Sequence, residues 1–241
     1  MSKQIIWTTK LVNEKIEMLN MGEILKNVEN PFHEKIVGLR KSGLSFKMTP
    51  GEIDEYIKCK MDLHYFAENY CWVKGEKGSP VKIKLRDYQE EILDNFFNNR
   101  FNILMASRQT GKTITSAITI LHYVLFNNNK NVLVTANKLD TATEILDKMK
   151  EIYQRLPFFL QQGIRKWNEK FMSFENKSRI KGFATTKTAS IGQSADFLYL
   201  DEFAYLPDNI AEKFYKSVFP TISSIENSKI IALSQLFKIK K

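Results

Sequence analysis

Residues 101–126 constrain the fold more than any other stretch. An apolar run, Phe101-Asn102-Ile103-Leu104-Met105-Ala106, leads into Ser107-Arg108-Gln109-Thr110-Gly111-Lys112-Thr113, and an amphipathic run continues from Ile114 to Phe126. A strand, a tight loop ending in Gly-Lys-Thr and a helix make the layout of a phosphate-binding P-loop. The physical reason is specific. Backbone N–H groups of the loop and the positive end of the helix dipole converge on a polyphosphate. Lys112 adds a full charge near the β- and γ-phosphates, and the Thr113 hydroxyl suits Mg²⁺. Gly111 lets the backbone approach without a Cβ in the way. The position five residues before Gly111, where a first glycine is usual, holds Ala106.

An acidic pair answers the loop. Ala195-Asp196-Phe197-Leu198-Tyr199-Leu200 precedes Asp201-Glu202. Four large apolar residues followed by two carboxylates read as a buried parallel strand ending at the carboxyl edge of a sheet. Ligands sit at that edge in open α/β folds. Asp201 is placed to hold the Mg²⁺ shell, and Glu202 to orient and deprotonate an attacking water. The two motifs together predict ATP hydrolysis, with ATP and Mg²⁺ as the implied ligands.

Composition bounds the partners. The chain has 241 residues, enough for one α/β domain with a small helical annex. Its 36 Lys and Arg against 27 Asp and Glu give a formal charge of +9, which favours an anionic partner such as nucleic acid. No apolar run reaches the ~18 residues of a membrane-spanning helix, and the N-terminus lacks the apolar core of a signal peptide. Cys59 and Cys71 are the only cysteines, which fits a reducing compartment. His33, His64 and His122 are scattered, a pattern that argues against a zinc site.

The organisation changes near residue 80. Residues 1–79 read as a polar, largely helical annex. Its clearest element starts at Thr49-Pro50-Gly51-Glu52, where Thr49 caps, Pro50 suits the first helical position and Glu52 completes a capping box. Ile53, Tyr56, Ile57, Lys60 and Met61 follow at helical spacing, and the annex is expected to pack on the core. Residues 74–80 read as a turn-rich connector. From there to residue 241 the pattern is that of a P-loop ATPase core. Helices are expected at 88–99, 112–126, 139–155 and 208–217, and strands at 101–106, 131–136, 197–201 and 228–234. Residues 170–175 and 178–184 read as a hairpin turning at Asn176-Lys177. Alternation of this kind predicts an α/β fold with a mostly parallel sheet covered by helices on both faces.

Two smaller features belong with the loop. Gln89, in Leu85-Arg86-Asp87-Tyr88-Gln89, is either an amide reading the edge of adenine or an ordinary surface glutamine. Arg108 either reaches the γ-phosphate as an arginine finger in cis or props the loop through a salt bridge.

Residues 107–113 resemble the deviant P-loop of the large terminase subunit of tailed bacteriophages, a DNA-packaging ATPase. Leu85–Gln89, Phe158-Phe159-Leu160-Gln161, Gly163-Ile164, Gly192-Gln193-Ser194, residues 197–203 and Lys229-Ile230-Ile231-Ala232-Leu233-Ser234 match in the same order. The family often lacks the first glycine, which accounts for Ala106. The resemblance implies a motor that forms a homo-oligomeric ring on the portal protein. It would work with the small terminase subunit, pump double-stranded DNA into a procapsid, act in the host cytoplasm and be absent from the mature virion. Ser234 would lie in the motif that couples hydrolysis to movement.

Three departures accompany the matches. The sequence ends at Lys241, before the nuclease domain that follows in full-length relatives, which reads as a truncated or split product without nuclease activity. After Ser234 the chain continues Gln235-Leu236-Phe237, unlike the family's coupling motif. Ile191 stands where relatives commonly have an arginine serving a ring neighbour. Two alternatives stay open at this point: a superfamily 2-type nucleic-acid translocase or helicase fragment, and a non-catalytic nucleotide-binding remnant.

Overall fold

The computed structural model describes residues 30–75, 78–185, 194–205, 212, 213, 216, 219, 220, 222 and 225–235. In chain order these form α1 (Pro50–Met61), α2 (Leu63–Tyr70), β1 (Trp72–Lys74), β2 (Pro80–Lys82), α3 (Asp87–Asn98), β3 (Phe101–Ala106), α4 (Lys112–Phe126), β4 (Asn131–Ala136), α5 (Leu139–Tyr153), β5 (Ile164–Asn168), β6 (Phe171–Phe174), β7 (Arg179–Ala184), β8 (Phe197–Leu200) and β9 (Lys229–Gln235). The first 29 residues, most of the helix expected at 208–217, and everything after Gln235 lie outside the described residues.

Local chemistry sets most boundaries. α1 begins in a capping box: Thr49 Oγ1 accepts from the Glu52 N–H at 3.3 Å, and Glu52 Oε2 accepts from the Thr49 N–H at 2.7 Å. Asp62 then caps α2 by accepting from the Tyr65 N–H at 2.9 Å. β6 and β7 pair antiparallel across the Asn176-Lys177 turn, where Lys177 takes φ 65°.

Seven strands form one sheet in the order β3-β9-β8-β4-β7-β6-β5. The first five are mutually parallel, and β6 and β5 close one side antiparallel. The α/β architecture with a mostly parallel sheet is therefore present. On one face the sheet residues Val132, Val134, Phe197, Tyr199, Ile231 and Leu233 join the helices in a single cluster. Ile118 and Leu121 of α4, Ile145 and Met149 of α5, Phe96 of α3 and Phe66 of α2 all enter it. On the opposite face Leu133, Leu198 and Leu200 pack with Phe203 and Ile222. β3 is an edge strand whose alternate residues Phe101, Ile103 and Met105 are exposed, Ile103 to 82%.

Three expectations are corrected. Residues 74–80 are not a plain connector: Trp72–Lys74 and Pro80–Lys82 pair antiparallel, so both ends of the segment belong to paired strands. In α1 the stripe Ile53, Ile57 and Met61 faces outward, and Cys59 is the residue buried. Tyr56 is half-buried and stacks edge-on against Phe126, which sets the rotation of the helix. β5 was not foreseen as a strand. It is held at the sheet edge by the segment before α1, where Lys41 bridges Ile164.

That segment is fastened by Arg40. Its guanidinium pairs with Glu175 at 2.8 Å, donates to the Gln161 and Leu44 carbonyls and lies over the rings of Phe46 and Phe158. The Gln161 amide in turn donates to the carbonyls of Gly38, Tyr153 and Leu156. Gln161, singled out in the sequence, thus serves the fold.

Candidate nucleotide-binding site

The loop 107–111 leaves the carboxyl end of β3 and enters α4 at Lys112. Two residues carry its curvature: Gln109 at φ 63° and Gly111 at φ 77°. Ala106 still pairs within β3, opposite Gln235, and its φ is not positive. A glycine is therefore not required there, which is the physical reason the missing first glycine is tolerated.

Gln89 supports the loop from the side. Buried at the start of α3, it accepts from the Arg86 N–H through Oε1 at 3.1 Å and donates from Nε2 to the Thr110 carbonyl at 3.2 Å. A Cβ on Gly111 would fall far inside contact distance of that Nε2. One donor and one acceptor site of the amide are spent inside the protein, and one of each remains.

Lys112 is buried, and its Nζ donates to the Ala106 carbonyl at 3.3 Å. Burial lowers its pKa, opposed by the charges of Asp201 and Glu202, which bear on it across the site. Thr113 is half-buried in the first turn of α4, and Ser107 and Arg108 are exposed on the rim. Arg108 acts electrostatically on Lys112.

Asp201 and Glu202 follow β8 at the same carboxyl edge. The Asp201 N–H donates to the Thr135 carbonyl at 2.8 Å, which ties the carboxylate's backbone to β4. Asp201 is buried, its Oδ1 has no hydrogen-bond partner among the described residues, and burial together with the Glu202 charge pushes its pKa up to about 6. An orphaned buried carboxylate oxygen at the sheet edge where α4 begins with the hydroxyl of Thr113 is oxygen chemistry that fits a hard divalent cation such as Mg²⁺. Glu202 takes φ 51°, a left-handed conformation unusual for a residue with a Cβ, and it is only half-buried. Ser234, next to last in β9, pairs with Met105 of β3.

The sheet therefore brings Lys112, Thr113, Asp201, Glu202, Gln89 and the loop to one edge. Ser234 stands on the strand between loop and acids. Ile191, Gly192 and Gln193 lie outside the described residues. Sequence reasoning missed Thr135. Its hydroxyl meets that of Thr185 at 2.8 Å, both buried, while its carbonyl holds Asp201. A lone hydroxyl near the end of an otherwise aliphatic strand was the available signal. It also missed Lys148 of α5, whose charge opposes the rise in the Asp201 pKa.

Solved structures share this fold. The HK97 bacteriophage large terminase matches at 20% identity and TM-score 0.57, over 73% of this chain and 37% of that one. The large terminase ATPase domain of Thermus phage P74-26 matches at 17% identity and TM-score 0.52, over 63% of this chain and 65% of that one. A mutant of the same domain matches at 17% identity and TM-score 0.55, over 65% and 67% respectively. The chain thus spans little more than a third of the HK97 protein's length. The family described as terminase large subunit, T4-like-virus type, N-terminal, matches residues 103–226. That stretch is more than half of the chain and runs from the P-loop strand past the acidic pair, and the protein belongs to this terminase large subunit family.

Proposed function

We propose that this chain is the ATP-hydrolysing motor part of a phage or prophage terminase large subunit, driving double-stranded DNA into a procapsid. The observation that carries the reading is the meeting, at one sheet edge, of the loop ending in Lys112 with the pair Asp201-Glu202.

In this reading the loop N–H groups and Lys112 hold the β- and γ-phosphates of ATP. Thr113 and the unpartnered Oδ1 of Asp201 hold Mg²⁺, which when bound neutralises charge on the phosphate oxygens. Glu202, held at φ 51°, accepts the proton of the attacking water. Arg108, exposed on the rim, reaches over the γ-phosphate, and the remaining donor and acceptor of Gln89 read adenine. Ser234 passes the outcome along β9. The domain division in this reading is a helical annex at 1–79 and an ATPase core at 80–241. The partners are duplex DNA, the portal protein, the small terminase subunit and further copies in a ring, in the host cytoplasm. Among the described residues no helix is long and apolar enough to cross a membrane.

Steady-state ATP turnover tests this. Lys112→Ala should reduce turnover to background, and Glu202→Gln should keep binding a fluorescent ATP analogue with Mg²⁺ while losing hydrolysis. Wild-type turnover in either variant overturns the assigned roles.

A further inference from the structure

The antiparallel wing of the sheet, far from the loop, has a face that the nucleotide site does not use. Trp167, Met172 and Ile180 of β5, β6 and β7 share a register row and point toward the helices, where Trp167 lies against Tyr153 of α5. The alternate residues therefore form the opposite face. Register places Lys166 beside Ser173 and Ser173 beside Arg179; the next row holds Asn168, Phe171 and Lys181. Lys166, Asn168, Arg179 and Lys181 are exposed, and Phe171 and Ser173 are half-buried between them. The register shift after Ile164 adds exposed Arg165 to the same rim. None of the three strands contains a carboxylate. Of the flanking turns, Glu175 is committed to Arg40 at 2.8 Å, which leaves Glu169, among the described residues, as the one exposed acid at the border.

One of these cations, Arg179, is also held in place. Arg179 donates from Nε to Asn131 Oδ1 at 3.0 Å. Asn131 is itself fixed, its N–H donating to Asp196 at 2.8 Å and its side-chain amide to the Ser194 carbonyl. This arrangement orients the guanidinium, whose two terminal nitrogens have no partner among the described residues and can fork onto an oxyanion. Strands lie ~4.8 Å apart, and alternate residues along a strand ~6.7 Å apart. The face from Lys166 to Arg179 therefore spans ~10 Å, the rise along the helix axis over which one DNA strand presents about three phosphates. Among the described residues it carries Ser173 and the half-buried Phe171 between its cations and no projecting helix or loop, so it suits a phosphodiester backbone and not the reading of bases in a groove.

We propose that the outer face of β5, β6 and β7 is a sequence-independent docking surface for the phosphate backbone of duplex DNA; this rests on the reading of the chain as a motor acting on DNA. The face lies away from the carboxyl edge, so its contacts leave the ATP site free.

Fluorescence anisotropy with a labelled 30-base-pair duplex, titrated at several salt concentrations, is the test. Lys166→Glu with Arg179→Glu should weaken binding at least tenfold in low salt and reduce the slope of log K against log salt by about two. Lys166→Glu alone, at a residue with no partner among the described residues, should remove about one and leave the melting temperature unchanged. Lys82→Glu with Lys84→Glu, an equal charge change on the exposed β2 side, should bind like wild type. Unchanged binding by the Lys166 and Arg179 variants, or an equal loss in the Lys82 and Lys84 variant, overturns the face alone. A wild type that turns over ATP but does not bind the duplex overturns both the face and DNA as the motor's substrate.

Discussion

Gly111→Ala measures how far the loop depends on its neighbour Gln89. At φ 77° an alanine is held in a left-handed conformation, which costs about 1 kcal/mol. Its Cβ also collides with Gln89 Nε2, so the amide must leave. Leaving breaks the bond to the Thr110 carbonyl and strips the Arg86 N–H of its acceptor, at about 1 kcal/mol each. The total, about 3 kcal/mol, corresponds to ~100-fold fewer loops in the binding geometry and a matching loss of apparent nucleotide affinity. Titration with a fluorescent ATP analogue reads this directly. The second arm uses Gln89→Ala, which removes the obstacle. In that background Gly111→Ala should cost only the conformational part, ~5-fold, leaving a coupling of about 2 kcal/mol between the sites. Equal losses in both backgrounds would refute the claim that Gln89 props the loop. No loss in either would refute the left-handed requirement itself.

Asp201→Asn should make the folded protein more stable above pH 6. Its folded pKa of about 6 lies above the ordinary 3.8, so the native state holds the proton more tightly than the unfolded chain. Wild-type stability is therefore lost as pH rises between those values, by up to about 3 kcal/mol. Melting curves at pH 8 should show the gain and curves at pH 4 should not; a less stable variant at pH 8 without metal would contradict the burial argument. Added Mg²⁺ should raise the wild-type melting temperature at pH 8 and leave Asp201→Asn unmoved. Arg40→Ala should lower stability by about 3 kcal/mol in urea unfolding, because Glu175 is left partly buried without its partner. A loss no larger than that from exposed Arg155→Ala would show that the strap before α1 carries no load.

What the sequence disclosed follows from how local each feature is. The boundaries of β3, α4 and β4 coincide with those read from the chain, because Gly111 and the change of apolar period mark them. The Thr49 capping box and the Asn176-Lys177 turn are equally local. β5 escaped because Ile-Arg-Lys-Trp-Asn alternates only once its antiparallel partner and the shift at Arg165 are known. α1 presented two mixed faces, and the choice of Tyr56 and Cys59 for the inside was made by Phe126 and α2, not by periodicity. The strand order was beyond reach: β9, the last strand among the described residues, inserts between β3 and β8, and its pairing with β3, across more than a hundred residues, is one that no local pattern announces. Gln89 was placed beside the loop by its position in the sequence, but its buried bonds to Thr110 and Arg86 depend on that packing.

The insertion of β9 also makes the sheet a ruler. The phosphate loop and the acidic pair sit on strands separated by one intervening strand, hence ~9.6 Å apart across the sheet. Register offsets them further, since Leu200 is level with Ala232 while Ala106 is level with Gln235. Two parallel hydrogen-bonded ladders do not stretch by ångströms without breaking. The gap that a metal-bound triphosphate must bridge is thus fixed before any ligand arrives, and side chains and loops alone are left to adjust. A longer or shorter side chain at 201 would miss by a distance the backbone cannot return.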